Sequence, residues 1–136
     1  MKVLEVMTRA VETASPTDTV ADVARRMSEI DSGVMPIVQG DQIIGVITDR
    51  DIVVRVVGEN RDSEIQVSEV MTAPVETCRD GDSLKDATKK MADLQMRRLV
   101  VVDDTGKLCG ILSLGDVARE HSARAVGHAL EDISED

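Results

Sequence analysis

No phenylalanine, tryptophan or tyrosine occurs in this chain of 136 residues. The absence removes the flat rings on which nucleic-acid bases stack, and it leaves interior packing to Val, Ile, Leu, Met and Ala. Positive charge is also scarce: 16 Lys and Arg stand against 26 Asp and Glu, a formal net charge of −10. A surface of that sign repels phosphate backbones and anionic lipid, so neither nucleic acid nor a membrane is expected as a partner. No apolar run approaches the roughly 20 residues of a membrane span. The opening Met1-Lys2-Val3-Leu4-Glu5-Val6-Met7-Thr8 carries an early acid and does not read as a signal peptide, so a cytoplasmic location is expected. The two cysteines, Cys78 and Cys109, read as reduced core thiols, because a domain of this length holds its core without a disulfide. No Ser-His-Asp set, P-loop or glycine-rich dinucleotide fingerprint is present, which argues against an enzyme and against a required cofactor. His121 and His128 stand without Cys or carboxylates at ligand spacing, so no metal site is expected.

What the chain does have is internal repetition. Laying Val3 on Val67 also matches Glu5, Val6, Met7 and Thr8 with Glu69, Val70, Met71 and Thr72. The same register brings Asp18, Asp22, Met27 and Val38 onto Asp82, Asp86, Met91 and Val102. The turn Asp103-Asp104-Thr105-Gly106-Lys107 is then one residue longer than Gln39-Gly40-Asp41-Gln42, after which Gly45 and Asp51 meet Gly110 and Asp116. An extra turn residue is a change that folded repeats tolerate.

Each repeat reads as β-α-β-β-α, an α+β fold. Residues 11–13 and 75–78 are expected as short strands, each followed by turn residues. The helices that follow place Val20, Val23, Ala24, Met27 and Ile30, and Leu84, Ala87, Met91 and Leu94, on one face. Thr19 with Asp22, and Ser83 with Asp86, open them as capping boxes. Two β-branched runs in each repeat, 34–38 with 43–47 and 99–102 with 108–112, read as hairpins. A second helix is expected from Asp49 to about Val57, with its counterpart from about Leu114. The expected organisation is therefore repeat 1 over 1–57, a polar linker over 58–66, repeat 2 over 67–121, and over 122–136 one more amphipathic helix with an acidic tail. Ala123, Val126, Leu130 and Ile133 fall at helical spacing in that tail.

The helices after Thr48 and Ser113 carry Ile52, Val53, Val56, Val57, Val117 and Ala118 over more than a narrow stripe. Such breadth predicts cover from two sides. A homodimer is expected to supply it, since a closed two-fold contact is a common way to hide such a patch.

With Val6-Met7-Thr8 and Val70-Met71-Thr72 opening the repeats, and Gly45-Val46-Ile47-Thr48-Asp49-Arg50-Asp51 and Gly110-Ile111-Leu112-Ser113-Leu114-Gly115-Asp116 closing them, the chain resembles paired cystathionine β-synthase (CBS) domains, or a Bateman module. The likeness is to stand-alone bacterial and archaeal CBS pairs and covers residues 1 to about 120. It implies two repeats related by a pseudo-two-fold axis and a flat dimer. It also implies a regulatory module that binds AMP, ADP, ATP, NAD or S-adenosylmethionine in the cleft between repeats.

Thr48-x-x-Asp51 and Ser113-x-x-Asp116 stand where a strand ends and a helix begins, so hydroxyl, carboxylate and helix amides meet at one place. As residue types they are helix caps. A carboxylate there can also accept from both hydroxyls of a ribose, and the family's ribose-binding pattern is matched by Thr48, Asp51, Ser113 and Asp116, which suggests a dual role. The phosphate candidates are Arg97, Arg98 and Arg50, because a planar guanidinium donates two parallel hydrogen bonds. The run from Arg97 to Asp103 is similar to a phosphate-contacting segment in the gamma subunit of AMP-activated protein kinase. Gly33 and Val34 stand where the second repeat has Arg97 and Arg98, and Gly115 stands opposite Arg50, so the two sites are not expected to be equivalent. Adenine is expected near Val11, Val34, Met35 and Pro36 in one site, and near Val75, Arg98 and Leu99 in the other. Two functions of different class fit: a sensor of adenine nucleotides, or an adaptor that binds none, dimerises and docks a further protein through the same fold.

Overall fold

The computed structural model describes residues 1–135, with side chains to Arg124. His128, Val126, Leu130 and Ile133 therefore lie outside the described side chains. The chain divides into two compact units, one of residues 11–76 and one of residues 1–10 with 77–136. These units are not the repeats as they run along the sequence. The segment that opens each repeat packs into the unit built by the other.

In the unit of residues 11–76, α1 (Val20–Ile30) is followed by the antiparallel hairpin β1 (Val34–Gln39) and β2 (Gln42–Thr48), and then by α2 (Asp49–Ile52). In the other unit, β3 (Thr77–Arg79), α3 (Leu84–Leu94), β4 (Arg98–Val102), β5 (Leu108–Ser113) and α4 (Leu114–Glu135) follow the same plan. Its sheet has the order β3-β4-β5, with β3 parallel and β5 antiparallel to β4. Hydroxyl caps start all four helices: Thr19, Thr48, Ser83 and Ser113 each accept the N–H of the Asp three residues on, at 3.0–3.1 Å.

Carbonyls of the exchanged segments satisfy further N–H groups at the first turns of α1 and α3. Val20 and Ala21 donate to the carbonyls of Ile65 and Ser63, and Leu84 donates to that of Met1. A single 3-10 turn follows in each segment, Val3–Glu5 and Val67–Glu69, and drives a fully buried valine, Val3 or Val67, into the core. Around Val67 gather Ala14, Val20, Val23, Met27, Met35, Ile37, Ile47, Val56 and Val70. Around Val3 gather Cys78, Ala87, Met91, Leu99, Val101 and Leu112. The two interiors use matching positions of the repeat, filled by aliphatic and sulfur-containing side chains. Ile30 and Leu94, at the last helical positions, are instead exposed.

Three expectations need correction. Residues 11–13 form no strand; Ala14 alone bridges to Ile37, donating to the carbonyl of Pro36 and accepting from Val38. Two prolines are the reason: Pro36, the counterpart of Val100, has no N–H for the rung at residue 13, and Pro16 has none for the rung that follows Ala14. Asp80, the counterpart of Pro16, donates its N–H to the Val102 carbonyl and extends the β3 side of the ladder, a bond proline cannot make. Secondly, α2 does not run to Val57 as a regular helix but widens into a π-turn at Val53–Val57, where the Gly58 N–H donates to the Val53 carbonyl at 2.7 Å. Thirdly, the tail is no separate helix, because α4 continues unbroken from Leu114 to Glu135. No helix among the described residues is long and apolar enough to cross a membrane.

Gly45 and Gly110 are where the exchanged segments sit. Thr72 exchanges two backbone hydrogen bonds with Val46 at 2.8 and 3.0 Å, and Thr8 exchanges two with Ile111 at 2.9 and 3.0 Å. A Cβ at Gly45 would lie 2.5 Å from Met71 Sδ and 3.1 Å from the Thr72 carbonyl oxygen. At Gly110 it would lie 2.6 Å from Met7 Sδ and only 2.8 Å from the Thr8 carbonyl oxygen. A methionine end can swing away, whereas a paired backbone carbonyl cannot. Gly110→Ala is therefore expected to cost about 1–3 kcal/mol, an overpacking penalty, and Gly45→Ala less. Urea unfolding followed by circular dichroism measures both; equal midpoints for Gly110→Ala and wild type would show that the segment moves freely.

Both cysteines are free thiols. Cys78 is buried in its core, and burial, with help from the Asp82 carboxylate, pushes its pKa up to about 11. Cys109 is half-buried and raised in the same direction by burial, then by Asp80. The folded state thus keeps a proton on Cys78 that the unfolded chain releases near pH 9, so this contribution to stability is whole below pH 9 and is lost as the pH rises toward about 11. At pH 8 a thiol-labelling reagent is expected to modify Cys109 first, with Cys78 reacting only as urea unfolds the protein. Simultaneous labelling in native buffer would contradict this burial.

Candidate functional site

The second Ser/Thr-x-x-Asp segment lies at the β5–α4 junction. Arg98 stands directly across the ladder from Ser113, and the Leu114 N–H donates to the Arg97 carbonyl at 2.8 Å. Arg97, Arg98 and Ser113, together with Leu114, Gly115 and Ala118, line a pocket of about 440 Å³. Neither guanidinium has an ion pair among the described residues. Asp116 lies in the first turn of α4 and closes the capping box: its Oδ2 accepts from the Ser113 N–H at 3.3 Å, and its Oδ1 meets the guanidinium of Arg119. Arg119 is an exposed side chain, whereas the Asp116 side chain is 15% exposed. The first turn of α4, a serine and two arginines without ion pairs among the described residues thus line one hollow in a strongly acidic chain. That combination suits an anion such as a phosphate ester.

The first segment has the same backbone plan and different chemistry. Val34 stands across from Thr48, and the Asp49 N–H donates to the Gly33 carbonyl at 2.9 Å. Asp51 is buried, at 9% exposure, and is held from several sides. Its Oδ2 accepts from the Thr48 N–H at 3.0 Å, the Thr72 hydroxyl donates to both its oxygens at 3.2 and 3.3 Å, and Arg55 Nε lies 3.8 Å from Oδ1. Arg55 also donates to the carbonyls of Val70 and Met71. Neither Thr72 nor Arg55 was singled out from the sequence. The available signal was that Met-Thr recurs along the chain in company with Gly-x-x-Thr/Ser.

The remaining candidates are placed as follows. Arg50 is exposed, and its N–H donates to the Asp49 carboxylate. Val11 and Val75 are half-buried loop residues. Val34 and Pro36 are buried strand residues of β1. Met35 and Leu99 are 0% and 1% exposed within their own cores, so neither presents a surface to adenine.

The apolar face expected on the second helices is also redrawn. Val56 points into the core, and Ile52 and Val117 pack against their cores. The exposed residues are Val53 at 60%, Val54 at 51% and Val57 at 70%, fanned out by the π-turn, with Leu114 and Ala118 exposed in the other unit. Among the described residues no group of three or more His, Cys, Asp or Glu is arranged to hold a metal ion.

The model of the CBS domain family matches residues 3–58 and again 67–123. The CBS domain-containing protein YhcV of Bacillus subtilis is 39% identical over 133 residues, covering 97% of this chain and 94% of that one. A solved CBS-domain protein from Burkholderia ambifaria is 34% identical with a TM-score of 0.81, over 89% of this chain and 91% of its own. A CBS domain protein from Pyrobaculum aerophilum, solved in complex with AMP, is 26% identical with a TM-score of 0.79, over 85% of this chain and 89% of that one.

Proposed function

This chain belongs to the CBS domain family and carries two copies in tandem, and from that premise we propose that it is a regulatory sensor of adenosine-containing ligands. The observation that carries the reading is the pocket of Arg97, Arg98 and Ser113 at the head of α4, with its two unpaired guanidiniums. In this reading Asp116 accepts from the ribose hydroxyls once Arg119 swings away, and Arg97 and Arg98 bind the phosphate. AMP, ADP and ATP share those groups; NAD and S-adenosylmethionine share the ribose. The AMP-bound relative from Pyrobaculum aerophilum supports the ligand class. A sensor needs no nucleophile or general base, and the cytoplasm is where such nucleotides are available to it.

With no Trp or Tyr in the chain, a strong band near 260 nm in the purified protein would report bound nucleotide. Calorimetry then assigns the residues. Asp116→Ala is expected to lose roughly 1.5–3 kcal/mol of charge-assisted hydrogen bonding, or about 10- to 150-fold in affinity, for adenosine and AMP alike. Replacing both Arg97 and Arg98 by Gln is expected to weaken AMP more than adenosine, since AMP alone carries the charge they meet. A folded wild-type protein that binds no adenosine compound would leave the adaptor as the function.

We further propose that a second copy of the chain covers Val53, Val54 and Val57. Three valines at half exposure or more on one π-turn form an apolar patch that water disfavours, and a self-complementary contact removes it. Val53→Glu with Val57→Glu is expected to yield monomers of native fold, as read by light scattering and circular dichroism. Acidic substitutions at Ile52 and Val56, which pack in the core, would unfold the protein instead. A wild-type mass near 14.7 kDa at micromolar concentration would exclude the dimer.

A further inference from the structure

We infer that the two Ser/Thr-x-x-Asp segments have parted roles: Ser113–Asp116 takes ligand, whereas Thr48–Asp51 is a lock that fastens the exchanged Val70-Met71-Thr72 segment and takes none. The inference rests on the sensor reading above and adds a stoichiometry of one ligand per chain.

The division follows from what each carboxylate already holds. Asp51 accepts from the hydroxyl of Thr72, a residue 21 positions away whose backbone is itself paired with Val46. The Thr72 hydroxyl spans both carboxylate oxygens, as the two hydroxyls of a ribose would. Arg55 strengthens the arrangement by touching Asp51 on one side and the carbonyls of Val70 and Met71 on the other. A ligand competing for Asp51 would have to displace the half-buried Thr72 hydroxyl from it, while Arg55 would keep only the carbonyls of Val70 and Met71.

In the other unit the fastening is absent and the ligand groups are present. Thr8, the counterpart of Thr72, is exposed. Glu120 stands at the position of Arg55 and pairs with Arg124. Among the described residues, the Asp116 carboxylate keeps its capping bond to Ser113 and otherwise meets Arg119, a surface partner with 76% of its side chain exposed. Across the strand, the Val34 of the first segment is replaced by Arg98. Across the strand a phosphate at the Thr48 position would thus face an aliphatic side chain, with Arg50 exposed on the helix that follows, whereas at Ser113 it faces Arg98.

The test is a titration of the full chain with AMP, followed by calorimetry and by amide nuclear magnetic resonance. One equivalent per chain is expected, with shifts at Arg98, Ser113 and Gly115 while Val34, Thr48 and Thr72 stay still. Thr72→Val removes only the hydroxyl of the lock; AMP affinity is expected to remain within about twofold, and the melting temperature to fall by roughly 2–6 °C. Two equivalents per chain, or shifts centred on Thr48, would overturn the inference while leaving the sensor reading intact. So would a large loss of AMP affinity in Thr72→Val at preserved fold. Absence of binding by adenosine and AMP in the wild type would overturn both.

Discussion

A strand position that admits no side chain governs much of this structure. At Gly45 and at Gly110 the backbone of a distant segment comes so near that even a methyl group would meet a carbonyl oxygen or a methionine sulfur. The approach is what lets Thr72 pair with Val46 and Thr8 with Ile111. From those pairings the rest of each segment follows: a 3-10 turn upstream, a buried valine within it, and carbonyls that satisfy N–H groups at the start of α1 or α3. Because residues 1–10 and 65–76 each complete the unit they do not open, neither repeat holds its whole core in one stretch of sequence. Two repeats are thereby tied into one chain fold without a disulfide and without an aromatic side chain.

The helix caps show how one local device serves unlike ends. All four helices begin with a hydroxyl residue followed three positions later by Asp, and all four hydroxyls accept that Asp N–H. At Thr19 and Ser83 the neighbouring N–H groups are covered by the exchanged segments, and the cap is complete as architecture. At Ser113 the neighbourhood is a hollow edged by arginines. The cap there fixes the direction of a hydroxyl and a carboxylate in advance, the kind of preorganisation that lowers the ordering cost of binding. What distinguishes a cap from a site is the residue across the strand and the partner of the carboxylate, rather than the motif.

That distinction explains which features were legible in the sequence. Helix faces, hairpins and caps depend on residues within a few positions of each other, so their spacing revealed α1, α3, the two hairpins and the four caps. The exchange of opening segments depends on residues such as Thr8 and Ile111 that are far apart in sequence, and periodicity carries no trace of such a pairing. The missing first strand turned on two N–H groups, absent at Pro16 and Pro36 and available at their counterparts Asp80 and Val100. The π-turn was hidden because a run of valines suits any helix, and only its widening shows that Val56 goes inward while Val53, Val54 and Val57 go out. Met35 and Leu99, expected near adenine, are turned by strand alternation into the cores.

The duplicated plan then leaves room for divergence at few positions. Core equivalents such as Met27 and Met91, or Val3 and Val67, are constrained by packing, and the paired glycines by backbone approach. The cross-strand position before the hairpin belongs to neither core cluster, and it holds a buried valine, Val34, in one unit and a half-buried arginine, Arg98, in the other. Further along the following helix the matching positions also differ, Arg55 reaching Asp51 and the carbonyls of Val70 and Met71 while the half-buried Glu120 pairs with Arg124. A valine with a bridging arginine makes one junction self-contained; an arginine with a glutamate turned to Arg124 leaves the other with unpaired positive charge. In a chain with a formal net charge of −10, Arg97 and Arg98 thus stand as positive charge without an ion pair among the described residues, the arrangement on which the sensor proposal rests.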